Sequence, residues 1–324
     1  MKAMITKGYG APSVLELKEI EIPKPGADEV LVKIKVSSAT TADTLMRQGK
    51  PYFARLFLGL KRPKHPVPGT GFAGTVEEVG SKVSRFTVGE RVFGETTLGF
   101  SANAEFLTVP QNGVILSMPK AMEYTEAASF GDGHLTSFNF LKEVAKIRAG
   151  DKILINGASG ALGTSAIQLA KYFGSYVTAV CSGKNAELVK SLGADKVIDY
   201  NQEDFTKSKL KYDIIYDSVG KSSFGKCRKV LSDNGVYLSP VLKLSLLIQM
   251  LKTSKYHKKK AIFQATGTKS DDKLRFLLNA VLDIYKSGKL KTVIDRQFPL
   301  ELLSEAHQYI ETGHKRGNVI IVHT

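Results

Sequence analysis

Ile153-Leu154-Ile155-Asn156-Gly157-Ala158-Ser159-Gly160-Ala161-Leu162-Gly163-Thr164 is the stretch on which the fold turns. An apolar β-type run gives way to small residues and then to a helical pattern over 161–173. Against the dinucleotide fingerprint G-x-G-x-x-G, Ala158 stands in the first place, with Gly160 and Gly163 in the other two. Gly160 would let the backbone approach a pyrophosphate, and Gly163 would let the helix lie close on its strand. The helix N-terminus offers free N–H groups and the positive end of its dipole to the phosphates. Ala158, Ser159, Gly160, Ala161, Leu162 and Gly163 are therefore the expected pyrophosphate-binding residues. A tight glycine turn with no ligand is the bland alternative, and the surroundings weigh against it.

Working outward, β-type runs at 153–155, 176–181, 197–198, 212–219, 236–238 and 262–265 are separated by helical patterns at 161–173, 185–192, 203–207, 224–231 and 244–252. Strands separated by crossovers of this kind predict an α/β fold with a doubly wound parallel sheet. Continuous apolar strands such as Asp213-Ile214-Ile215-Tyr216 suit a sheet covered on both faces. The second strand reports on the ribose. An NAD-preferring site ends this strand with a carboxylate for the 2′-hydroxyl. Here the place reads Cys181-Ser182-Gly183-Lys184, with no carboxylate to repel a 2′-phosphate. Ser182 and Lys184 offer a hydroxyl and an ammonium, and Tyr200 at the end of the third strand could close over the same group. NADP(H) is the expected cofactor. The competing reading of Lys184 is a solvated lysine at a helix start.

The first part of the chain reads differently. Residues 30–36 alternate apolar and polar side chains, and Gly and Pro recur closely at 23–26, 66–69, 80, 89, 94 and 99. That pattern predicts a β-rich, partly barrel-like domain. After the parallel sheet come a helix at 271–286, a strand at 292–298, a second helix at 300–312 and a strand at 318–322, expected to return to the first domain. The expected division is 1–124 and 267–324 for the β-rich domain and 125–266 for the nucleotide domain.

At 324 residues two domains are the natural expectation. No secretory segment opens the chain, and no apolar run approaches the ~20 residues of a membrane span, so a cytoplasmic location is expected. Two cysteines, Cys181 and Cys227, are too few for a disulfide framework or a four-cysteine zinc lobe and read as buried reduced thiols. The net charge of +15 has its densest run at 255–260, most simply a solvated loop, alternatively a weak nucleic-acid or anionic-membrane contact.

Several motifs now fall in order: Val67-Pro68-Gly69-Thr70-Gly71-Phe72-Ala73-Gly74 with Glu78-Val79-Gly80, then Val88-Gly89-Glu90-Arg91-Val92, Asn103-Ala104-Glu105-Phe106, the glycine loop, Leu192-Gly193-Ala194-Asp195, Tyr216-Asp217-Ser218-Val219-Gly220 and Gly317-Asn318-Val319. Across nearly the whole chain the sequence resembles the zinc-independent, zeta-crystallin-like quinone oxidoreductase branch of the medium-chain dehydrogenase/reductases. The resemblance implies a Rossmann domain joined to a GroES-like catalytic domain, and a homodimer. It also implies that Thr136, Ser218, Val219, Gly220 and Asn318 approach the nicotinamide half of the cofactor. The places of zinc ligands in the metal-bearing branch fall on Thr40 and Thr70, neither a good ligand at neutral pH, so no metal is expected. Zinc-free relatives often carry asparagine where Thr40 stands.

Without a Lewis acid, a simple alcohol is hard to oxidise, whereas a quinone or an α,β-unsaturated carbonyl accepts hydride to give a delocalised anion. The expected activity is NADPH-dependent reduction of a small apolar substrate of that class, with Thr40 and Tyr52 as candidate donors to the developing oxyanion. Two alternatives stand beside it: a double-bond reductase for aliphatic enals or enones, and an NADP-regulated, crystallin-like RNA-binding protein using the run at 255–260.

Overall fold

A computed structural model describes residues 1–254 and 258–323. The chain forms two compact units, one comprising Met1–Asp132, Gly267–Ala280 and Thr292–Thr324, the other Gly133–Thr266 and Val281–Lys291. These bounds differ from the expected ones in two places. Residues up to Asp132 stay with the first unit, where the Tyr124 hydroxyl lies 3.1 Å from that of Thr75. Residues 281–291 belong to the second unit. There the Gln168 side chain donates to the carbonyl of Lys291 and accepts from its N–H, both at 3.0 Å.

The second unit is built on a six-stranded parallel sheet. Its spatial order is Lys196–Asp199, Tyr176–Cys181, Lys152–Asn156, Tyr212–Asp217, Leu231–Ser239 and Lys260–Phe263. The order reverses direction between Lys152–Asn156 and Tyr212–Asp217, and the crevice at the carboxyl ends of such strands is where this architecture seats nucleotides. Leu154, Ile215, Tyr212 and Tyr237 are buried in one cluster on the sheet, as continuous apolar strands require. The helix Ala161–Tyr172 is buried over most of its length. Two expected helices are shorter than their patterns. Phe205–Lys207 is a single turn capped by Asp204, and Phe224–Cys227 ends before the next strand begins at Leu231.

In the first unit a mixed sheet runs Ile294–Pro299, Asn318–Val322, Glu29–Ala39, Gly71–Val79, Arg91–Glu95 and Val114–Ser117, with Phe106–Pro110 also on Glu29–Ala39. Lys2–Thr6 and Leu15–Glu19 form a separate antiparallel pair. The C-terminal strand pairs antiparallel with Glu29–Ala39, which is the expected return. Val30, Val32, Ile34, Phe72, Val92 and Ile115 are buried together beneath this sheet. Its strands end at Ala39, Gly71 and Glu95 close to one another, since Phe72 pairs with Ser37 and Gly71 with Glu95.

Candidate active site

The turn after Lys152–Asn156 is set by Gly157, whose φ of 81° lies in the left-handed region. Ala158, expected among the pyrophosphate-binding residues, is buried and its N–H donates to the Val180 carbonyl at 3.0 Å. A methyl group added at Gly160 would meet nothing nearer than the Gly157 carbonyl oxygen at 3.5 Å, so the space above it is open. One added at Gly163 would fall 2.3 Å from that oxygen and 2.6 Å from the Ala158 backbone. Gly160 leaves room for a ligand, and Gly163 brings helix and strand into contact. The open cradle at a helix N-terminus fits a pyrophosphate. Ser218 donates to the Asn156 carbonyl at 2.8 Å, and a side chain at Gly157 would strike Val219 and Ser218, so these expected residues abut the loop. Gly220 follows with φ 64°. Next to the partly buried Thr136, the Ser137 hydroxyl donates to the Leu162 carbonyl at 2.8 Å and ties that turn to the loop's helix.

At the ribose end, Ser182 is buried and Lys184 exposed, and the Tyr200 N–H donates to the Cys181 carbonyl at 3.2 Å. The three expected residues therefore gather at the ends of adjacent strands. Asn185 was not expected there. Its amide donates to the Ser159 hydroxyl at 3.0 Å, bridging the ribose end to the glycine loop, and its carbonyl oxygen is buried without a partner. The expectation that no carboxylate stands nearby is corrected by Asp199. It pairs in register with Cys181, and a methyl on Gly183 would sit 2.6 Å from its Oδ2. Local sequence around 181–184 could not reveal it, because Asp199 arrives from the neighbouring parallel strand. Its Oδ1 accepts from the backbone and side chain of Asn201 at 3.0 and 2.9 Å. Burial, with Asp199 second, pushes the Cys181 thiol up to about 11; burial likewise holds Cys227 at about 11. Both are reduced, buried thiols, as expected.

In the first unit, Thr40 caps the helix Thr41–Gln48. Its hydroxyl donates to Asp43 Oδ2 at 2.8 Å and accepts from the Asp43 N–H at 3.1 Å, while its own N–H donates to the same carboxyl at 2.8 Å. Such a reciprocal cap needs a hydroxyl and an acceptor three residues apart. The Thr40 proton is thereby committed to Asp43 and reaches an oxyanion only by exchanging that bond. The register Ala39 to Val319 sets Thr40 opposite Asn318, whose amide donates to the Val293 carbonyl at 3.0 Å.

Around Thr40 gather charges that sequence reading missed. Asp43 is only 2% exposed and its Oδ1 has no partner. Burial raises its carboxyl to about 6, against the Thr40 hydrogen bonds and with Asp132 adding to the rise. Burial pushes Glu95 up to about 8, with a Thr70 hydrogen bond opposing. Asp132 is also raised by burial. Lys315 is lowered by burial, although Asp132, Asp295 and Asp43 favour its charge. These residues lie far apart in the chain, and no spacing announces them. Tyr52 is not brought into this group: it is 69% exposed, with its ring 5.0 Å from the Arg55 guanidinium.

A zinc ion does not fit these donors. Thr40 is bonded to Asp43 and Thr70 to Glu95, hydroxyls are poor ligands beside Cys and His, and among the described residues no group of three His, Cys, Asp or Glu side chains could hold a metal. Of the basic run at 255–260, Lys255, Tyr256 and His257 lie outside the described residues. Lys259 donates to the carbonyls of Arg228 and Leu231 at 3.1 and 2.8 Å rather than standing free for a polyanion.

Residues 26–120 match the model of the alcohol dehydrogenase GroES-like domain, and residues 192–321 that of the zinc-binding dehydrogenases. A 2-methylene-furan-3-one reductase from Solanum lycopersicum is 33% identical over 99% of this chain and 79% of its own length. The chain belongs to the medium-chain dehydrogenase/reductases, on their quinone oxidoreductase branch. An NADPH-dependent alkenal/one oxidoreductase of Arabidopsis thaliana is 30% identical over the same shares. The quinone oxidoreductase of Coxiella burnetii superposes with a TM-score of 0.88 at 27% identity, covering 99% of both chains.

Proposed function

We propose that the protein is an NADPH-dependent reductase of quinones or α,β-unsaturated carbonyls that works without zinc. One observation carries the reading: an open glycine cradle at a helix N-terminus, bridged through Asn185 to a strand end that presents Ser182, Lys184 and Tyr200. The alkenal/one and furanone reductase relatives support the substrate class. When bound, NADPH supplies the hydride. The helix start at Ala161, Leu162 and Gly163 holds the diphosphate through backbone N–H groups, those of Ala158 and Gly160 already donating to the Val180 and Gly157 carbonyls, and Lys184 pairs with the 2′-phosphate. On the second unit, Thr136, Ser218, Val219 and Gly220 border the nicotinamide half. On the first unit, Thr40 gives up its bond to Asp43 Oδ2 and donates to the oxyanion that develops on the substrate, its oxygen still held by the Asp43 N–H, and Lys315 adds positive potential near that oxygen. Tyr52, exposed and apart from these groups, serves no such role. A homodimer and a cytoplasmic location complete the reading. The open edge of strand Lys260–Phe263 supports the first. Among the described residues no helix is long and apolar enough to cross a membrane.

Assays of the purified protein with NADPH against a panel of quinones, aliphatic enals and saturated alcohols test this. Turnover of the first two classes is expected, unchanged by EDTA. Inactivity with both, together with chelator-sensitive alcohol oxidation, would refute the proposal. Preference for enals over every quinone would narrow the reading to an aliphatic double-bond reductase.

A further inference from the structure

Residues 50–64 present an inverted surface. The stretch reads Lys50-Pro51-Tyr52-Phe53-Ala54-Arg55-Leu56-Phe57-Leu58-Gly59-Leu60-Lys61-Arg62-Pro63-Lys64. Two short turns, Tyr52–Ala54 and Arg55–Leu58, wind it so that the large apolar side chains share one face. That face is outward: Tyr52, Phe53, Leu56, Phe57 and Leu60 are 69, 42, 66, 79 and 68% exposed. The charged Arg55 turns inward instead. Its guanidinium donates to the Gly49 and Gln48 carbonyls at 3.1 and 3.3 Å and lies 4.4 Å from the Tyr9 ring. The Tyr9 hydroxyl donates to the Gly59 carbonyl at 2.6 Å, and the Lys64 N–H to that of Leu58 at 2.8 Å. The segment is thus fastened from beneath, and its apolar side is displayed by construction. An exposed cluster of this kind marks a surface that meets something apolar.

Its rim is basic. Lys50, Lys61, Arg62 and Lys64 are exposed, and between Thr44 and Val76 the chain has six Lys and Arg and no Asp or Glu. A second copy of the same face would bring like charges together, which disfavours self-association. Aromatic and leucine tips ringed by lysine and arginine match a different partner, the boundary between anionic headgroups and acyl chains.

We propose that residues 50–64 dock the protein peripherally on an anionic lipid bilayer, the apolar tips entering the headgroup boundary and the basic rim pairing with lipid phosphates. The segment follows Gly49, which ends the helix capped by Thr40, so a helix of roughly 12 Å joins the docking surface to the candidate site. Binding stands independently of the proposed reaction; only its use, access to lipid-dissolved substrates, rests on that reading.

The experiment is co-sedimentation of the full chain with vesicles of phosphatidylcholine alone and with about a third phosphatidylserine. Binding to the anionic vesicles alone, weakening with salt, is expected. The pair Phe57→Ser and Leu60→Ser should lower it at least about tenfold, and Lys61→Glu with Arg62→Glu should abolish the preference for phosphatidylserine. NADPH binding and turnover of water-soluble substrate should stay at wild-type values in the serine pair, which separates a docking defect from misfolding or failure of the enzymatic reading. No sedimentation with either vesicle, binding unchanged in the serine pair, or a dimer of the wild type that the serine pair dissolves would each overturn the proposal.

Discussion

Single residues decide which cofactor is favoured and how stability follows pH. Lys184 is exposed beside the ribose end while Asp199 stands at Gly183, so attraction and repulsion for a 2′-phosphate meet at the ends of two adjacent strands. Lys184→Ala is expected to raise the KM for NADPH about ten- to hundredfold, the scale of one lost charged hydrogen bond. Asp199→Asn should improve the NADPH-over-NADH ratio about three- to tenfold. Steady-state kinetics with both cofactors check both. Glu95 keeps its proton up to about 8 in the folded protein but releases it near 4.5 when unfolded. Its contribution is therefore present below about pH 4.5 and lost as pH rises toward 8. Glu95→Gln should flatten the decline in denaturant midpoint across that window. The opposite limb comes from His134 and His307, held neutral by burial with values near 3. As pH falls from 6.5 the unfolded chain gains protons that the fold refuses, and stability drops. Lys184 was legible from its place after a strand. Asp199 and Glu95 were not, because each acts through a strand that is distant in sequence.

At the scale of the element, the glycine loop separates binding from folding. A methyl at Gly160 enters open space, whereas one at Gly163 collides with the Gly157 and Ala158 backbone. Gly160→Ala should fold with wild-type circular dichroism and lose NADPH affinity at least about tenfold, since it fills the cradle. Gly163→Ala should be destabilised outright, because helix and strand must part. Calorimetric titration alongside thermal melts distinguishes the two, and equal loss of affinity without destabilisation in both would refute the division of roles. The cap at Thr40 belongs to this scale as well. Thr40→Ala removes a reciprocal cap of about 1 kcal/mol, while Thr40→Ser retains it. A fall in kcat for the alanine but not the serine variant, at equal NADPH affinity, would mark the hydroxyl as a donor rather than a cap alone. Helix and strand types were readable from periodicity and from the glycine loop. Lengths were not: Phe224–Cys227 stops where strand pairing claims the following residues.

For the whole molecule, two units of separate core predict that a ligand of one unit protects chiefly that unit. Saturating NADPH at about a hundredfold over its Kd should stabilise the nucleotide unit by about 2.7 kcal/mol, raising its melting transition by about 5–10 °C. A calorimetric scan with and without NADPH checks this, and an unmoved transition would count against binding at the cradle. The order of residues alone specified the parallel sheet, the nucleotide loop and the β-rich companion domain. These rest on local periodicity and on glycines whose roles are read within a dozen residues. Tertiary structure alone decided the electrostatics: Asp43, Glu95, Asp132 and Lys315 meet because strands and turns from separate parts of the chain end together. It likewise turned Arg55 inward and five apolar side chains outward at 50–64. Burial and proximity shift charges and expose faces, and neither quantity is written in the order of residues along one strand or helix.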